Sequence, residues 1–357
     1  MTILDKPGLS RRRFNNLVLG AVPALTVARP ALAQSKDLRV VISAVYRKSF
    51  EGFIVPKMKE LYNVNVIPSP FLSGEALTRA IAQRENPAIS LFTLDQGPWL
   101  QGKEVGLWLT LDPKRAPNLE NVFKNYRDPD GKGSALFSYL LGLLYDESAI
   151  KAANVEAPTS FFDMWKPEYK GRVTIPQFSS TFAFILLAET DRLLGGSLGG
   201  PFDKGFAKLR ELRPNIASFV GPAGQYIQLF QQKEIWLTQG AHFTALQASR
   251  AGLPVVWKLP KEGAVAVAHY LGVPNNAPNL DETYKLIELM LSPEYQKQVA
   301  MIDFMGPVNG KTELDPAFAA GFPLTREAVE SAAQVPWDAY GRDRIALGER
   351  WQREIQA

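Results

Sequence analysis

The chain has 357 residues, 46% of them hydrophobic, with 40 Lys+Arg against 36 Asp+Glu and no cysteine. That length fits two domains better than one core, and the missing cysteine excludes a disulfide framework, thiolate metal sites and a cysteine nucleophile. The basic excess resides in the first 34 residues, where Lys6, Arg11, Arg12, Arg13 and Arg29 face only Asp5; beyond them 35 basic residues (40 less 5) meet 35 acidic ones (36 less 1), which argues against a nucleic-acid partner.

Residues 1–33 read as an export signal rather than as part of the fold. Ser10-Arg11-Arg12-Arg13-Phe14 is its basic part and Leu17 to Val27 its apolar part. Ala31-Leu32-Ala33 ahead of Gln34 is a small-x-small cleavage site. The consecutive arginines resemble a twin-arginine signal, which places the processed chain in the periplasm with its start near Gln34. No later apolar run reaches the roughly 18 to 20 residues that cross a bilayer.

From there, short apolar runs alternate with amphipathic stretches, the pattern of an α/β protein. Leu38 to Ser43 predicts a strand, Phe50 to Tyr62 a helix, Val64 to Ile67 a strand and Pro68 to Leu72 a turn. Ser73 is expected to cap a helix running to Gln83, followed by a strand over Ile89 to Leu94. The unbroken run Ala135 to Tyr145 reads as a strand leaving a first lobe. Strands over Arg172 to Ile175, Ile235 to Thr238 and Val255 to Leu259, with helices over Thr181 to Leu194, Phe202 to Leu212 and Gln225 to Gln232, then make a second lobe. Ala264 to Val273 is the return strand. In the tail, Asn279 with Glu282 suggests a capping box, and Ser292-Pro293 a further helix start.

In this order the features resemble the type II periplasmic solute-binding proteins, the group that includes spermidine/putrescine-binding and ferric-ion-binding proteins. The likeness is carried by Ser73-Gly74-Glu75-Ala76-Leu77 and Asn86-Pro87-Ala88-Ile89-Ser90-Leu91. It continues through Ala251-Gly252-Leu253-Pro254-Val255, Pro260-Lys261-Glu262-Gly263, Pro274-Asn275-Asn276-Ala277-Pro278-Asn279 and Leu291-Ser292-Pro293-Glu294. It implies a two-lobed fold, each lobe a mostly parallel sheet flanked by helices, with residues 34–137 plus 268–357 as lobe 1 and 138–267 as a discontinuous lobe 2. It also implies a small-molecule ligand held between the lobes and handed to an inner-membrane ABC permease, by a monomer with no cofactor or metal. Polyamine-binding members carry a Trp-x-Asp-like element where this chain has Val267 and His269, and iron-binding members an adjacent tyrosine pair that the sequence lacks. Both departures disfavour those ligands and leave a small polar solute, anionic or zwitterionic, with a polyamine as the alternative.

The candidate ligand residues fall at strand ends and helix starts, where open α/β sheets bind their guests. Tyr46 and Arg47 follow the first strand and Asp95 and Gln96 the third. Ser73 and Gly74 open one helix, and Ser179, Ser180 and Thr181 another, so amides and hydroxyls of both can face a ligand or simply cap their helices. His242 and His269 are the only histidines; each is either a ligand contact or a structural hydrogen-bonder. Asn309, after Gly306-Pro307-Val308, lies in a loop that closes the cleft in relatives. A secreted hydrolase is the remaining rival, through Gly195-Gly196-Ser197-Leu198-Gly199; its G-x-S-x-G needs a strand before the serine, whereas a helical stretch precedes it here.

Overall fold

Two parallel groups of strands are joined by two antiparallel ones. The computed structural model describes residues 36–357 apart from 198, 222–223, 321–323, 325–331 and 334. Its strands are β1 Lys36–Ile42, β2 Val64–Pro70, β3 Leu91–Asp95, β4 Ser134–Asp146, β5 Val173–Pro176, β6 Ile216–Val220, β7 Leu237–Ala241, β8 Val255–Lys258 and β9 Val265–Gly272. Their order is β2-β1-β3-β9-β4-β7-β5-β6, with β8 also on β4. β1 is parallel to β2 and β3, and β5 to β6 and β7. β9 is antiparallel to β3 and β4, and β4 to β7 and β8. Residues 35–357 form one compact unit; the export-signal reading of residues 1–33 lies outside the described residues.

All 13 residues of β4 are buried, which is why its sequence shows an apolar run and no alternation. It pairs with β9 from Ser134 to Leu141, and with β7 and β8 from there to Asp146. β5 to β8 all lie between β4 and β9 in the chain, so the backbone leaves the first parallel group along β4 and returns along β9. At one margin of the sheet, β2 sets Pro68 and Pro70 opposite Val40 and Ile42 of β1.

The helices depart from expectation in informative ways. The helix Ser73–Ala82 takes Leu72 as its N-cap, not Ser73. The Ser73 hydroxyl instead accepts the Asp95 amide at 3.0 Å, because β3 ends directly behind it. The capping box at Asn279 does not form. Asn279 is left-handed (φ 54) and donates its side-chain amide to the Asp37 carbonyl, while Glu282 pairs with Lys36 at 2.7 Å. Ser292 caps Pro293–Asp303 as its sequence implies, accepting the Tyr295 amide. Ser197 follows the helix Thr181–Leu193 rather than a strand, so a nucleophile elbow is not built there.

Strand β6 and the helices Gln96–Glu104, His242–Arg250 and Trp337–Trp351 are additions to the sequence reading. The last of these straps the two parallel groups together. It seats Trp337 and Tyr340 on Gly97, where any side chain would collide with the Trp337 ring. Farther along it pairs Arg350 with Asp203 at 2.7 Å and sends Arg342 to the Gly199 carbonyl.

Candidate functional site

The C-terminal end of β3, the Ser73–Ala82 helix start and the Thr181–Leu193 helix start meet around one cavity of about 590 Å³, solvent at its mouth included. Ser73, Gly74, Asp95, Ser179, Ser180, Thr181 and His269 all line it, together with Ser43, Tyr139 and Gly221. Its apolar wall is Val45, Phe71, Leu72, Phe182 and Phe243. A space of this size suits a guest of modest size, and the mixed wall a polar group with a short apolar part.

Asp95 organises the floor. Its Oδ1 accepts the Tyr139 hydroxyl at 2.8 Å and lies 3.0 Å from His269 Nδ1, and its Oδ2 accepts the Thr181 hydroxyl at 2.8 Å. A carboxylate only accepts, so the His269 proton sits on Nδ1. Burial pushes the Asp95 carboxyl up, but the hydrogen bond and charge of His269, with the Thr181 and Tyr139 hydroxyls, outweigh it and hold the group below the ordinary 3.8. Tyr139 is pushed well above its ordinary value by burial and by Asp95, which keeps it a donor. Because Asp95 ends β3 and Thr181 follows β5, the Thr181 bond links the two parallel groups.

His269 is 1% exposed, stacked on Phe137 with ring centroids 5.1 Å apart, and its Nε2 has no hydrogen-bond partner among the described residues. The first-turn amides of Ser73, Gly74 and Glu75 and that of Thr181 also have no partner among the described residues, as helix starts leave them. Arg344 approaches from the C-terminal helix: a methyl built on Gly74 would lie 3.4 Å from one of its terminal nitrogens and 3.9 Å from the Ser179 carbonyl. Tyr340, one turn earlier, is pushed up to about 12 by burial, partly opposed by the charge of Arg344 and a hydrogen bond from it.

The other sequence candidates lie elsewhere. Tyr46 is buried beneath the cavity, its hydroxyl 2.6 Å from the Thr93 hydroxyl and its ring edge-on to His269. Arg47 is exposed and paired with Glu51 at 2.7 Å. Gln96 accepts the Trp337 indole N–H at 3.2 Å. Asn309 is 2% exposed and donates to the Leu291 carbonyl at 2.7 Å. His242 is fully buried: its Nδ1 accepts the Leu140 amide and its Nε2 meets the Phe304 carbonyl at 2.7 Å. Among the described residues no group of three acidic or histidine side chains could hold a metal ion.

Burial lowers the His242 imidazole to about 4, despite the Phe304 and Leu140 hydrogen bonds. An unfolded chain protonates this residue below about 6.5 and the native one does not, so stability is expected to fall as pH drops from about 6.5 to 4, by roughly 3 kcal/mol at the low end. Urea unfolding at pH 7 and pH 4.5 measures this, and His242→Gln is expected to flatten the difference. An equal pH slope in both proteins would remove His242 as its source.

Missed by the sequence reading were Ser43, Val45, Phe71, Leu72, Tyr139, Phe182, Gly221 and Phe243 of the cavity wall, and Arg344 beside Gly74. Tyr139 was hidden in the apolar run of β4, although a polar hydroxyl in so buried a strand was a usable signal. Arg344 had none, since only the folded C-terminal helix brings it to Gly74.

Comparison with known proteins agrees with this architecture. The chain matches the family described as bacterial extracellular solute-binding protein over residues 98–327. It is 27% identical to the spermidine/putrescine-binding periplasmic protein of Escherichia coli K12 over 72% of this chain and 75% of that one. An iron uptake protein of Synechocystis is 25% identical over 87% and 90% of the two chains. A periplasmic binding protein of Actinobacillus pleuropneumoniae, solved with fructose-6-phosphate, superposes with a TM-score of 0.76 at 20% identity, covering 90% of this chain and 98% of that one. That likeness shows the type II periplasmic-binding-protein fold.

Proposed function

Because the chain belongs to the bacterial extracellular solute-binding protein family, we propose that it is the periplasmic substrate-binding component of an ABC importer and captures its solute in the cavity walled by Ser73, Asp95, Thr181 and His269. Family members of this kind carry solutes to a membrane permease and are not enzymes. Residues 138–267 act as one lobe against 34–137 plus 268–357, hinged along β4 and β9. The Asp95–Thr181 hydrogen bond is a contact of the closed form. Ser10 to Phe14 and Ala31 to Ala33 support export and cleavage near Ala33, and the processed protein works as a monomer.

The observation that carries this reading is the convergence of two helix starts, each from a different parallel group, on one cavity. A transport receptor binds its solute and releases it unchanged. The processed protein, screened by thermal unfolding against small polar solutes, is expected to gain roughly 5 °C with one of them. This takes about 2.7 kcal/mol at a hundredfold excess over Kd and about 2 °C per kcal/mol for a chain of this size. Recovery of a chemically altered compound would establish an enzyme instead.

A further inference from the structure

We propose that the cavity selects a compact solute bearing an oxyanionic group, a phosphate, phosphonate or carboxylate, and that Arg344 is the cationic residue which recognises it. This rests on the solute-binding reading and names the chemistry of the same cavity. The feature that points to a ligand is the orphaned Nε2 of His269 in a side chain almost wholly buried in the cavity wall. A buried polar atom left unpaired costs about 1–3 kcal/mol. An oxyanionic group removes that cost by accepting from the Nε2–H of the doubly protonated ring, and a phosphate or phosphonate that keeps a hydroxyl also by donating to the lone pair of the neutral one.

The surrounding groups favour an anion. The helices Ser73–Ala82 (10 residues) and Thr181–Leu193 (13 residues) both aim their N-terminal ends at the cavity, and their first-turn amides are donors with positive dipole ends behind them. Arg344 adds a full positive charge beside Gly74, and among the described residues no carboxylate pairs with it.

The same geometry disfavours a cationic amine. Among the described residues Asp95 is the only carboxylate lining the cavity, and both of its oxygens already accept hydrogen bonds, from Tyr139, His269 and Thr181. An ammonium would have to break one of these, and it would face Arg344 and two positive helix ends.

The test is calorimetric titration of the processed protein with inorganic phosphate, glycerol 3-phosphate, malonate and putrescine, with mass spectrometry of any compound that co-purifies. At least one of the first three is expected to bind and putrescine is not; among the three, the ranking separates phosphate from carboxylate recognition. Arg344→Gln is expected to weaken the bound anion about tenfold, the loss of one charged hydrogen bond. Lys151→Gln, the same charge change on an exposed helix, leaves it unaltered. Binding of putrescine alone, or a co-purifying cationic or uncharged solute, overturns this inference and leaves the receptor reading standing. An anion bound equally well by Arg344→Gln overturns the role of Arg344. Failure of all three anions, with no co-purifying anion, overturns the inference, while the receptor reading is decided by the wider solute screen.

Discussion

Gln296→Leu is expected to destabilise the protein by about 5 kcal/mol, although residue 296 touches no part of the cavity. The side chain is 0% exposed; its Nε2 donates to the carbonyls of Leu136 and Met290, at 2.8 and 3.0 Å, and its Oε1 accepts the Val308 amide at 2.9 Å. Leucine matches the volume but leaves three backbone groups buried and unpaired, at about 1–3 kcal/mol each. Those groups belong to β4, the end of the helix Leu280–Met290 and the loop after Pro293–Asp303, so one amide holds three segments in register. Urea unfolding should show a lower midpoint at unchanged slope. A loss below about 1 kcal/mol would mean that water or a shifted backbone replaces the glutamine.

Asp95→Ala is the second large effect, about 4 kcal/mol of stability together with most of the ligand affinity. The substitution strands the Tyr139 and Thr181 hydroxyls and His269 Nδ1, although water in the cavity can satisfy part of what is lost. The native carboxyl is held below its ordinary 3.8, so its contribution is present above that value and disappears as pH falls through the lower native one. The part of the gap between wild type and variant that depends on the charge should therefore be full at pH 7 and shrink as pH falls below 3.8. Asp95→Asn keeps the Thr181 bond and should lie between the two. A variant as stable as wild type at pH 7 would show that the three donors find other partners.

How far the molecule could be read from its sequence depended on which forces act locally. Strands such as β1 and β3, and the Ser292–Pro293 helix start, follow from runs and caps a few residues long. Ser73, Asp95, Thr181 and His269 were legible as candidates because strand ends and helix starts are recognisable and this fold gathers them at one place. Arg47, His242 and Asn309 were equally reasonable by residue type, yet Arg47 turned to Glu51 on its own helical turn, and the other two satisfied backbone groups in the interior. The capping box at Asn279 failed because Glu282 had a competing partner 246 positions away in Lys36. Arg344 was illegible for the same reason: its place is decided by how Trp337 and Tyr340 dock on Gly97.

The prolines of β2 bear on behaviour at high concentration. A marginal strand ordinarily offers a row of free donors on which another polypeptide can anneal, the first step of edge-to-edge aggregation. Pro68 and Pro70 carry no N–H, so two of the seven positions of this strand supply no donor to an incoming chain. The sheet thus ends in a poor template on that side, a useful property for a protein that must stay dispersed in a crowded compartment while it waits for its cargo.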